Sequence, residues 1–157
     1  MTDRMTAAFR AGFVRRWHCN PDLAHTNDRI DGHSGRVARI ILMLHPDPSV
    51  ALLRSALIHD DGESVTGDVK APTKDANPDM LSWLDEMEAT ARQEIWGDDS
   101  DLTELECRWL KFADRLDAYM WAKHHAPHAL DGDGWPEARE WLDFEALDLG
   151  HPYLGVL

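Results

Sequence analysis

The chain has 157 residues, 43% hydrophobic and 29% charged, which suits one soluble globular domain that buries roughly two-thirds of its unfolded surface. Its 16 Lys and Arg stand against 29 Asp and Glu, a formal net charge of −13. That balance excludes the basic face a duplex-binding protein needs, but not a small phosphate-bearing ligand, because a bound divalent cation overrides the global sign locally.

No apolar run approaches a membrane span and no signal-peptide core is present, so the expected location is cytoplasmic. Cys19 and Cys107 form no metal-like or redox-like spacing and read as reduced, packed thiols.

The elements read as helices in chain order. Met5, Phe9, Phe13 and Trp17 recur every four residues and predict a first helix with one apolar stripe. Pro21 and the polar run "HTNDRIDGHS" break it. Val37, Ile40, Ile41 and Leu44 mark a second helix. Val50, Leu53, Ala56 and Leu57 mark a third, with Gly62 as its stop signal. After a loop with Pro72 and Pro78, Met80, Leu84, Met87, Ala91 and Ile95 form a fourth stripe closed by Gly97. Leu105, Trp109, Phe112, Leu116 and Met120 give a long fifth helix, and Pro136 suits the first turn of a sixth that runs toward Leu147. No alternating segment is long enough for a strand. The expectation is one all-α domain over residues 1–157, a bundle of about six helices.

Four side chains on three of these helices have the chemistry to meet. His33 opens the second helix, His59 and Asp60 end the third, and Asp114 sits in the fifth between Phe112 and Leu116. A carboxylate amid an apolar stripe is costly unless it is paired, hydrogen-bonded or bound to a cation. Two imidazoles and two carboxylates can converge on one ion and leave sites for water or substrate. Each has a bland alternative: His33 as a helix-start hydrogen bonder, Asp114 as an ion-pair partner, His59-Asp60 as an ordinary dipeptide. His124, His125 and His128, in "HHAPH", read as surface residues.

The ordered set carries more than its parts. In "HDDGESVTGDVKAPTK", Glu63, Asp68 and Lys74 follow His59 at short intervals. Together with "RRW", "GHS" and "FADRLDAY", this pattern resembles the HD-domain phosphohydrolases, and within them the 5'-deoxynucleotidases and the phage dATP triphosphohydrolases called DatZ. The loop between Trp17 and His33 is longer than is usual there, and the chain ends sooner than the bacterial nucleotidases do.

The resemblance implies that His33, His59, Asp60 and Asp114 hold one divalent metal. Nitrogen and carboxylate ligands suit Co²⁺, Mn²⁺, Fe²⁺, Ni²⁺ or Zn²⁺, with Mg²⁺ free to accompany substrate phosphates. It implies Glu63 and Asp68 as catalytic acids, Arg16 and Lys74 on phosphate with Arg15 and Lys70 as helpers, and Trp17 against the sugar where a 2'-hydroxyl would sit. The implied function is a metal-dependent deoxynucleotide phosphohydrolase, favoured as a dATP triphosphohydrolase. A 5'-deoxynucleoside monophosphatase and a non-catalytic nucleotide sensor are the alternatives. The expected partners are a deoxynucleotide and further copies of the chain, as a dimer or dimer-built hexamer, with no nucleic acid and no membrane. The apolar tail "HPYLGVL" is expected to dock on its own domain or on a neighbouring subunit.

Overall fold

The structure, a computed structural model, describes residues 2–70, 73–74, 76–97 and 101–151. Pro72 and all but the first residue of the tail "HPYLGVL" lie outside the described residues. The described chain is all-α, as the pattern predicts. It forms α1 (Thr2–Ala11), α2 (Ile30–Leu44), α3 (Val50–Ile58), a single turn α4 (Glu63–Thr66), α5 (Pro78–Trp96), α6 (Glu104–His125), a 3-10 turn (Pro127–Asp131) and α7 (Trp135–Asp148). Among the described residues no helix is long and apolar enough to cross a membrane.

Two compact units divide the chain: residues 1–34 with 57–100, and residues 35–56 with 101–157. In the first, α1 and α4 pack on α5 and touch each other. Ala11, Leu23, Ile30, Ile58, Leu84 and Ile95 are buried there. Gly62, which immediately precedes α4, makes a close approach possible. A Cβ at that position would lie 2.3 Å from the Glu88 carbonyl oxygen on α5, so only glycine fits. α5 ends at Gly97, whose φ of +77° lies in the left-handed region.

In the second unit, Val37, Ile41, Leu52, Trp109, Phe112 and Leu116 form one core with the inner face of α7. α6 starts on a capping box: Thr103 Oγ1 accepts from the Glu106 amide at 3.2 Å, and the Glu106 carboxylate accepts from the Thr103 amide at 2.9 Å. Such reciprocal caps each contribute about 1 kcal/mol, which fixes where the helix begins. Lys123, His124 and His125 in its last turn complement the helix dipole.

Three expectations need correction. The first helix ends at Ala11, not beyond Trp17. The chain turns there, and residues 14–16 run beside 28–30 with an antiparallel bridge between Arg15 and Arg29. The Ile30 amide donates to the Val14 carbonyl at 3.1 Å and the Arg16 amide to the Asp28 carbonyl at 3.2 Å. This pairing overrides the four-residue period, and Met5 and Phe9 are both left 71% exposed. In α3 the buried face is Leu52, Ser55 and Ala56, while Val50 and Leu57 face outward. Cys19 and Cys107 are free thiols, as expected, but they are exposed and not packed.

Candidate metal and phosphate site

The first turn of α2 carries His33, which is fully buried, and the residues just past α3 are His59 and Asp60. The two imidazole rings lie 5.3 Å apart, centroid to centroid. Nε2 of His33 faces one oxygen of Asp60 at 3.3 Å and Nε2 of His59 faces the other at 3.4 Å. With Asp114 of α6, these residues offer four ligand atoms that all lie within 4.8 Å of one another. Two nitrogens and two carboxylates converging at this scale fit a first-row divalent ion. Crowding these four groups, His33 buried and the others half-buried, is costly without such an ion.

The ligands are held by groups that no motif announces. The His59 carbonyl accepts from Arg92 Nη1 of α5 at 2.9 Å. Asp61 is buried and its Oδ2 accepts from the Trp96 indole at 2.7 Å. Burial pushes the Asp61 carboxyl up, and the indole hydrogen bond works against that rise. On α2 and α6, Arg36 lies one turn beyond His33 and Asp117 one turn beyond Asp114. Arg36 and Asp117 form a two-point ion pair with Nε–Oδ1 at 2.6 Å and Nη2–Oδ2 at 3.0 Å. Such a fork ties residues 35–44 of α2 to α6 within the second unit.

Glu63 opens α4 and is buried, with Oε2 lacking a hydrogen-bond partner among the described residues. Its carboxyl is pushed up to about 9, first by burial and then by the negative charges of Asp60 and Asp68, with Lys74 opposing. It therefore holds a proton at neutral pH. Asp68, just past α4, accepts from the Trp17 amide at 2.9 Å. Trp17 has a φ of +65°, rare for a bulky side chain.

Arg16 is nearly buried and its Nη1 lies 2.7 Å from His33 Nδ1 and 3.3 Å from Asp28. Lys74 lies 3.9 Å from Glu88, which also accepts from Thr66 at 2.7 Å. Arg15 and Lys70 are exposed, and the Arg15 guanidinium donates to the Ala24 and Thr26 carbonyls at 3.3 Å each. His124, His125 and His128 are exposed, as expected.

The structure thus brings His33, His59, Asp60 and Asp114 together. It sets Glu63, Asp68, Arg16 and Trp17 in the surrounding hydrogen-bond and charge network. Sequence reasoning missed Asp28, Asp61, Arg92 and Trp96. Asp61 alone left a signal, as the second acid of "HDDGE".

No curated protein and no solved structure matches the chain. The sequence model of a family described as "5'-deoxynucleotidase YfbR-like" matches residues 5–126, a span that includes the His33, His59, Asp60 and Asp114 set together with Arg16, Asp28, Glu63, Asp68 and Lys74. The match covers most of the chain, so the protein belongs to the YfbR-like 5'-deoxynucleotidase family of HD-domain phosphohydrolases, metal-dependent hydrolases that act on deoxynucleotides.

Proposed function

We propose that the protein is a 5'-deoxynucleotidase that cleaves the bond between the 5'-oxygen and phosphorus of deoxynucleoside monophosphates. The observation that carries this reading is the focus of four ligand atoms within 4.8 Å, with the buried Glu63 carboxyl three residues beyond Asp60. His33, His59, Asp60 and Asp114 hold one divalent ion of the Co²⁺, Mn²⁺, Fe²⁺, Ni²⁺ or Zn²⁺ type. When bound, such an ion polarises the phosphoryl group and lowers the pKa of water.

The chain's own residues do the rest. Asp68 takes a proton from the attacking water, and Glu63 supplies its proton to the leaving 5'-oxygen. Water thereby becomes part of the phosphate and the nucleoside leaves as an alcohol. Arg16 and Lys74 offset the phosphate charge, and the Trp17 indole fills the space a 2'-hydroxyl needs.

A dATP triphosphohydrolase is the second reading. It rests on exposed Lys70 and Arg15, which belong to the same unit and suit outer phosphates. The monophosphate reading has more support, because Arg15 already serves loop carbonyls and Lys74 has Glu88 beside it. The whole chain is read as one phosphohydrolase domain that assembles with itself as a dimer or dimer-built hexamer. The exposed apolar residues Met5 and Phe9 on α1 support self-association.

The test is a panel of dAMP, dTMP, dATP, dGTP and their ribonucleotides with Mn²⁺, Co²⁺, Zn²⁺ or Mg²⁺, products resolved by chromatography. Orthophosphate and deoxynucleoside from monophosphates support the first reading. Intact triphosphate released from dATP promotes the second, and nucleotide binding without turnover promotes a sensor.

A further inference from the structure

The roles proposed above leave the buried carboxylate of Asp28 unassigned. Asp28 is 1% exposed and lies between α1 and α2, in the polar run that precedes His33. A carboxylate that far from water is costly unless its oxygens are held. Its Oδ2 accepts from the Trp17 indole Nε1 at 3.1 Å and from Arg16 Nη1 at 3.3 Å. Its backbone carbonyl accepts from the Arg16 amide at 3.2 Å. One residue therefore holds both neighbours assigned to substrate.

Each neighbour needs such a hold. Trp17 sits in the left-handed region at φ +65°, a conformation that persists only where surrounding contacts over-determine it. Its amide is fixed by Asp68 and its indole by Asp28. Arg16 lies 2.7 Å from His33 Nδ1, and a guanidinium has only donors, so that nitrogen is the acceptor. A His33 that binds an ion through Nε2 carries its proton on Nδ1, which sets donor against donor. The contact from Arg16 Nη1 to Asp28 Oδ2 does not depend on which nitrogen of His33 holds the proton.

We propose that Asp28 is the positioning residue for sugar selectivity and phosphate grip. Its carboxylate fixes the Trp17 indole where it excludes a 2'-hydroxyl and keeps Arg16 directed at the site. This rests on the 5'-deoxynucleotidase reading, with Trp17 on the sugar and Arg16 on phosphate.

Asp28→Ala and Asp28→Asn, loaded with Mn²⁺, are compared with wild type on dAMP and AMP for kcat and KM. Bound metal is measured by mass spectrometry, and the thermal shift caused by each nucleotide is recorded. Asp28→Ala keeps one metal per chain and loses about fivefold or more of the dAMP preference in kcat/KM, the scale of one lost hydrogen bond. The thermal shifts given by dAMP and AMP converge. Asp28→Asn keeps an oxygen for the indole but removes the charge beside Arg16, so KM rises for both nucleotides while the preference stays.

Equal losses on both sugars in Asp28→Ala, or an unchanged preference, overturn the proposal. So does an Asp28→Asn protein with wild-type KM, which alone decides the matter where Asp28→Ala fails to fold. A wild-type protein that treats dAMP and AMP alike, or hydrolyses neither, defeats the functional reading instead, before any variant is compared.

Discussion

Replacing Glu63 by Gln should make the metal-stripped protein more stable while removing turnover from the metal-loaded one. The carboxyl is buried, and burial with the charges of Asp60 and Asp68 raises it from 4.5 to about 9. Below about pH 4.5 both folded and unfolded chains hold the proton, and the side chain carries no pH-dependent penalty. Between 4.5 and about 9 the folded chain keeps a proton that the unfolded chain has released. Stability therefore falls as pH rises across that window, by about 1.4 kcal/mol per unit, and the full loss is reached above it.

At pH 7, about two and a half units into that window, the loss is about 3–4 kcal/mol, and an amide of the same shape avoids it. That figure is an upper bound, because the amide must still satisfy the buried Oε2 position. Urea unfolding of chelator-treated wild type and Glu63→Gln, followed by circular dichroism between about pH 5 and 9, reads the difference directly. The wild-type curve should slope downward with pH and the variant curve should be flatter and higher at pH 7. Parallel curves, or a variant less stable at pH 7, would refute the reasoning.

Three further outcomes follow from the packing and the site. Gly62→Ala drives a methyl group into the Glu88 carbonyl and should cost about 1–3 kcal/mol by denaturant unfolding. Trp96→Phe removes the indole that donates to buried Asp61 and should cost about 1–3 kcal/mol, seen as a lower Tm. Trp17→Ala should narrow the gap between deoxy- and ribonucleotide rates in kcat/KM, with bound metal unchanged.

The parts of this molecule legible in its sequence are those set by local chemistry. α5 ends where Gly97 says it should, because a stop acts within a turn of itself, whereas Pro78, read as loop, is the first residue of that helix. His59, Asp60, Glu63 and Asp68 stand out because they are close in the chain. Trp17 was placed on a helix because its four-residue spacing from Phe13 mimics one. What moves it is the pairing of residues 14–16 with 28–30, a contact that no periodicity reports. Asp28 was invisible for the same reason, since an acid in a polar run reads as solvated until its partners are known. The exposed face of α1 was misread because amphipathic spacing reveals a stripe but not what covers it.

The central claim is that His33, His59, Asp60 and Asp114 hold the ion on which hydrolysis depends. Stripped protein is titrated with Mn²⁺ or Co²⁺ while bound ion and dAMP hydrolysis are measured together, for wild type, Asp60→Ala and Asp114→Ala. The account predicts activity that rises with one tightly bound ion per chain in wild type, and loss of both the ion and the activity in each variant. Full hydrolysis by ion-free wild type, or a variant that keeps one tight ion and wild-type turnover, would contradict it.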